Sequence, residues 1–242
     1  MNLDELWNLS QLTTPTPSRA SNVSPGAALR YCRHSLAAPA IPAYTVRLKM
    51  HGEIKLKGWY PFTAEQVICW NRGMIWQASV RCFGISISGS DSYVNEQGAS
   101  VWKVLGLIPV ANVSGPDVTR SAAGRANIES IWLPSALCSD EVTWTSEGSY
   151  QVLRFTAYNE AAEMQCAFAD SGALKSVMMP RWGNPGSPEY RYESFGAYVE
   201  EEKTFGGYTI PSRVRVGWYF GTPRFEQEGE FFRATLDSAV YR

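Results

Sequence analysis

Histidine is scarce in this chain, with two in 242 residues, His34 and His51. Neither stands in a metal-binding spacing such as H-E-x-x-H, so no metal site is expected. A Ser-His-Asp triad would have to recruit one of them, and no G-x-S-x-G supplies its nucleophile. The G-x-G-x-x-G and phosphate-loop patterns are missing as well, which argues against nucleotides. No run approaches the ~20 apolar residues of a membrane-spanning helix. Charge is thin: 19% of residues are charged, with 22 Lys and Arg against 23 Asp and Glu, a net of -1. That balance speaks against a dedicated binder of nucleic acid or anionic membranes, because neutralising phosphates takes a basic excess. The five cysteines, Cys32, Cys69, Cys82, Cys138 and Cys166, are odd in number and hold no tight pair. A disulfide framework or zinc ribbon needs closer, paired spacing, so buried thiols in a reducing cytoplasm are expected. Asp4 and Glu5 stand where a secretory signal carries Lys or Arg, and no apolar stretch follows; this too reads as cytoplasmic.

Hydrophobic residues make up 45% of the chain and aromatics 13%, including nine Trp, enough for a sizeable core. Residues 1–23 read as a flexible N-terminal segment, with Ser, Thr and Pro dominating from residue 10 onward. Residues 24–242 read as a single β-barrel-like domain. Its first element is a short helix to about Leu36, with Ser24 as cap and Pro25 in the first turn.

From Tyr44 the period becomes two: Val46, Leu48 and Met50 alternate with Arg47, Lys49 and His51. Strands then follow one another through residue 107, joined by short turns such as Asn71-Arg72-Gly73. Residues 117–133 break the pattern as the one substantial helix, closed by Pro134. Strands resume from residue 142 to the C-terminus. The fold class is therefore mainly β (α+β): a curved antiparallel sheet, half-barrel or barrel, of roughly ten to twelve strands, with one main helix covering or plugging it. Such a sheet encloses an apolar cavity.

Several segments carry a family resemblance. PFTAEQ (61–66), SGPDVTRSAAGR (114–125), RWGNP (181–185) and FGGYTIPSRVRVGW (205–218) occur in this order. Together they resemble a bacterial family of unknown function, over about residue 27 to the C-terminus. The resemblance implies no established activity. The strand pattern is also similar to that of the lipoprotein-carrier half-barrels, which implies a curved sheet wrapped around an apolar ligand.

Polar residues among these elements are the candidate chemistry. Asp117, Ser121, Arg125 and Glu129 recur every four residues and share one helical face. That stripe either faces the cavity, with Asp117 or Glu129 moving a proton and Arg125 anchoring an anion, or is a solvated face or structural bridge. Gly124 in mid-helix suits a place where a strand or ligand comes close. Glu65 and Gln66 are strand neighbours, so one of the two points inward; an inward Glu65 suits general acid work, and pairing with Arg47, Lys49 or Arg81 is its bland alternative. Arg181 and Trp182, at a strand end, either clamp a carboxylate or phosphate or staple a loop. Trp76, Trp102 and Trp132 are expected in the wall of the cavity.

The sequence thus points to binding of an apolar or amphipathic small molecule in an aromatic-lined cavity, with Arg125 or Arg181 as polar anchor. The alternative is a cofactor-independent isomerase, cyclase or lyase on the same scaffold, with Glu65, Asp117 and Glu129 as acid or base. No cofactor is expected. The partner is a hydrophobic small molecule, with no nucleic acid and no stable membrane insertion, and the oligomeric state is left open.

Overall fold

Thirteen strands pair edge to edge in the computed structural model, which describes residues 1–13, 26–37 and 40–242. One limb of the sheet contains β1 (Thr45–Lys55), β2 (Trp59–Cys69), β3 (Gly73–Cys82), β4 (Ile85–Val94), β5 (Gln97–Val104) and β6 (Ile108–Ser114). The other contains β7 (Thr143–Glu147), β8 (Tyr150–Ala157), β9 (Glu160–Phe168), β10 (Leu174–Gly183), β11 (Arg191–Phe205), β12 (Tyr208–Trp218) and β13 (Glu230–Tyr241). The order is β6-β5-β4-β3-β2-β1-β13-β12-β11-β10-β9-β8-β7. Each limb is an antiparallel meander, and the β1–β13 pairing, from Val46 opposite Tyr241 to Ile54 opposite Phe232, joins them. The alternation read from the sequence holds: Val46, Leu48 and Met50 are buried and Lys49 and His51 exposed.

Two expectations need correcting. The strands number thirteen because residues 108–114 form β6, whose Pro109 and mostly exposed faces gave no strand signal. Proline is tolerated there because β6 is an edge strand. The sheet also stays open, with β6 and β7 as unpaired edges, so the barrel alternative is not realised.

Between those edges the chain crosses the concave side as a plug. It runs through α3 (Pro116–Ile128), a 3-10 turn (Glu129–Trp132) and α4 (Pro134–Leu137). The expected helix is present, although Pro134 opens a further short helix where the sequence read a stop. Helix α3 touches β4, β5 and β6 of one limb and β9 and β10 of the other. In a flat sheet β5 and β10 would lie roughly 38 Å apart at ~4.8 Å per strand, so only strong curling brings both to one helix. Gly98 permits the contact on one side, since a Cβ there would fall 2.6 Å from the Thr119 Cα. Ala123, Ala126, Ile131, Leu133 and Leu137 of the plug join the inward side chains of the sheet in the core.

The first thirteen residues differ from the expected flexible segment. Leu3–Thr13 is a helix, α1, whose Leu3, Leu6 and Trp7 pack on Val67, Cys69 and Ile75 on the convex face. The end of β2 is apolar at consecutive positions, Val67, Ile68 and Cys69, which marks a strand covered on both faces. The Ser/Thr/Pro stretch and the Ser24–Pro25 helix start lie outside the described residues. Helix α2 (Ala27–Ser35) follows and is tied by a Cys32–Cys138 disulfide to the end of the plug, with Cα atoms 5.9 Å apart. This corrects the expectation of five free thiols. The two cysteines are 106 residues apart, so no spacing rule could signal the pair, and Cys69, Cys82 and Cys166 are free.

Candidate functional site

Most of the concave side is filled by the plug and by inward side chains. What remains is a cavity of about 200 Å³ between α3, the 3-10 turn and strands β1, β3, β4 and β10–β13. Trp76, Trp132, Phe195, Trp218, Phe231 and Phe232 supply its aromatic wall, and Val177, Val214 and Val216 an aliphatic one. The space exceeds the ~150 Å³ apolar cavity that accepts a benzene ring. It is too small for a whole diacyl lipid.

Four charged groups reach this wall: Asp91, Arg125, Glu129 and Arg181. Arg125 Nη1 donates to Asp91 Oδ2 at 2.9 Å and its Nε to Glu129 Oε1 at 2.7 Å. The carboxylates are further engaged: Gln66 Nε2 donates to Glu129 Oε2 at 2.6 Å, while Ser100 Oγ and Trp102 Nε1 donate to Asp91 Oδ1 at 2.6 and 3.1 Å. The Arg125 guanidinium also lies 4.9 Å from the Trp76 ring centroid. Desolvation would lower its pKa, but the charges of Glu129 and Asp91 outweigh that and hold it above the ordinary arginine value. Arg125 is therefore a satisfied, structural cation.

Arg181 sits near the end of β10 and reaches back across Gly124, where a Cβ would meet its Cγ at 3.1 Å. The mid-helix glycine thus has the reason the sequence suggested. Arg181 Nε donates to the Ser121 carbonyl at 3.1 Å and Nη2 to Ser121 Oγ at 3.3 Å. Its guanidinium lies 4.5 Å from the centroid of Phe195 and 5.1 Å from that of Trp218. Among the described residues it forms no ion pair. Glu193, opposite it across β11, turns instead to Arg191 at 3.4 Å and to the Ser194 amide. Burial and the nearby Arg125 charge push Arg181 down to about 9, so it is still a cation at neutral pH. Beside it the wall holds a second unmet group: the buried Trp76 Nε1–H has no acceptor among the described residues.

Of the other expected site residues, Trp132 lines the cavity and its Nε1 donates to the Pro211 carbonyl at 3.0 Å. Trp102 stands behind Trp76, with ring centroids 5.8 Å apart. Trp182 and Asp117 form an outer rim: Trp182 Nε1 donates to Asp117 Oδ1 at 2.9 Å, and Arg120 covers the Trp182 ring at 4.8 Å. Glu65 lies on the convex face, paired with Arg47 at 2.6 Å, and its neighbour Gln66 is the one that points inward. Of the three carboxylates considered as acid or base, only Glu129 reaches the cavity, and both its oxygens are hydrogen-bonded. The sequence reading missed Asp91, Phe195 and Trp218. Asp91 was within reach, because it shares a face with the inward Tyr93 two residues on.

An open, curled antiparallel sheet with a helical plug and a cation in an aromatic cavity defines the class of protein. The chain belongs to the DUF6920 family, a family of unknown function whose model matches residues 24–241. No curated protein matches it. Among solved structures it is similar to a LolA superfamily protein from Nitrosomonas europaea, at 8% identity and TM-score 0.44, covering 89% of this chain and 92% of that one. It is also similar to a putative outer membrane lipoprotein-sorting protein domain from Vibrio parahaemolyticus, at 6% identity and TM-score 0.41, over 82% and 85% of the two chains. A DUF1329 family protein from Desulfovibrio piger matches at 10% identity and TM-score 0.39, over 89% and 90%. What bears on function in this chain is its cavity.

Proposed function

We infer that the protein binds a small amphipathic molecule with an anionic end, seated in the cavity with its charge on Arg181 and its apolar body against Phe195, Trp218, Phe231 and Phe232. The observation that carries this reading is Arg181, which has no direct ion pair among the described residues and lies against Phe195 and Trp218 in the cavity wall. Glu129 and Asp91 act on it only from a distance, and a guest carboxylate would give it a charge-assisted, bidentate contact. The cavity volume favours an aryl or short-chain acid.

Titration with aryl and alkyl carboxylates and their matching alcohols, followed by tryptophan fluorescence, tests the reading. The acids are expected to bind at least about tenfold more tightly than the alcohols, a difference of ~1.4 kcal/mol. Arg181→Met removes that preference. A broad panel of acids that leaves the fluorescence unchanged overturns the reading, and native mass spectrometry of the fresh protein identifies any resident guest.

The Cys32–Cys138 disulfide supports an oxidising compartment in place of the expected cytoplasm. Thiol titration of the denatured protein before reduction then counts Cys69, Cys82 and Cys166 alone. Five reactive thiols in freshly isolated protein would return it to a reducing compartment.

A further inference from the structure

Three hairpin tips stand side by side on the first limb: residues 56–58 between β1 and β2, 83–84 between β3 and β4, and 105–107 between β5 and β6. All three project large apolar side chains into solvent. Phe83 is 86% exposed and Leu107 80%, and Leu56, Leu105 and Ile108 are more than half exposed. Isolated exposed apolar residues are ordinary, whereas a contiguous row of them marks a contact surface.

Backbone geometry adds an independent sign. Phe83 has φ 49° and Leu105 φ 52°, in the left-handed region that disfavours bulky side chains. Elsewhere the same region holds Asn71, Asn95 and Asn159, which tolerate it, Tyr158 and Tyr219, which are buried, and the exposed Glu96. Phe83 and Leu105, followed by Gly84 and Gly106, take the positive φ of tight hairpin turns as Glu96 does, but place an exposed apolar side chain there in place of a charged one. An Asn or Gly suits that position better than Phe or Leu, so the apolar residue at each apex is not there for the turn's sake.

Charge on this rim is one-sided. Lys57, Arg81 and Lys103 are exposed and make no ion pair among the described residues, and Lys55 lies over Trp59. Residues 54–60, 81–86 and 103–110 contain no Asp or Glu. The near-zero net charge of the chain conceals this local excess. Trp59 and Tyr60 add the amphipathic rings that favour a membrane–water interface.

We propose that these three hairpin tips dock the protein on an anionic lipid bilayer, with Leu56, Phe83, Leu105 and Leu107 entering the interface and Lys57, Arg81 and Lys103 meeting the headgroup phosphates. Apolar insertion combined with flanking cations is the chemistry of peripheral, reversible membrane attachment, and it needs no spanning segment. The surface also adjoins the cavity, since Ile54, two residues from Leu56, lines it together with its cross-strand partner Phe232.

Cosedimentation with phosphatidylcholine vesicles, with and without phosphatidylglycerol, tests the proposal and requires no knowledge of the cavity's guest. The full chain is expected to bind the anionic vesicles at low salt and to release them at high salt. Each of Lys57→Gln, Arg81→Gln and Lys103→Gln weakens binding by about fivefold. The double variant Phe83→Asn, Leu105→Asn should lose vesicle binding while its melting temperature stays level or rises, because Asn suits the left-handed turn. Absence of binding at low salt, or undiminished binding of the double variant, overturns the proposal. So does a dimer in sedimentation that the double variant dissolves, which would assign the surface to a second copy of the chain.

Discussion

Arg125 and Arg181 stand on the same cavity in opposite circumstances. Arg125 has two carboxylates, one from β4 and one from the plug, and both carboxylates are hydrogen-bonded again from behind. Arg181 has a backbone carbonyl, a serine hydroxyl and two aromatic rings. The first guanidinium closes a network that fastens helix to sheet. The second is held in position without a direct ion pair, with Glu129 and Asp91 acting on it only from a distance. Residue type and burial are alike, so what separates structure from recognition here is whether the charge has already been matched within the chain.

The comparison breaks most visibly at Arg125. Arg125→Met strands two partly buried carboxylates and should cost about 2–3 kcal/mol in denaturant unfolding. A loss under 1 kcal/mol would mean that the network is slack. Arg181→Met removes a buried, unpaired charge and should change stability by less than about 1 kcal/mol, of either sign, while abolishing the preference for acids. Glu193→Gln sharpens the contrast further. If Glu193 is no partner of Arg181, the substitution moves stability by no more than about 0.5 kcal/mol. Gly124→Ala is subtler: helix propensity gains up to ~1 kcal/mol, but the new methyl displaces the Arg181 stem, so acid binding should fall while the melting point hardly moves. The smallest expected effect is with pH. A guanidinium pushed down to about 9 is a cation below that value and loses its proton only as pH rises through it. Acid binding should therefore be flat from pH 6 to 8, and a drop between 6 and 7 would implicate a histidine instead.

What could be read beforehand follows from what is periodic. Val46, Leu48 and Met50 declared their face, and the four-residue spacing of Ser121, Arg125 and Glu129 declared one helical stripe. Phase was harder. Val67, Ile68 and Cys69 are apolar in succession because α1 covers the outside, so the parity that would have turned Gln66 inward and Glu65 outward was masked. Trp182 and Trp218 look alike in sequence. Only strand ends and the Gly183 notch, where a Cβ would meet the Trp218 ring at 2.3 Å, separate the rim from the wall. The disulfide depends on where two distant segments meet, which no local pattern encodes.

The plug is fastened unequally at its two ends. Beside α4 a covalent bond holds Cys138 to α2, and Ser135 accepts the Ala43 amide at 3.1 Å. At α3 the fastening is non-covalent: ion pairs of Arg125 with Asp91 and Arg120 with Glu160, and hydrogen bonds of Arg181 to Ser121 and Trp182 to Asp117. Reduction of the disulfide would therefore leave the α4 end of the plug to its hydrogen bonds and packing, while α3 keeps its ion pairs to the sheet.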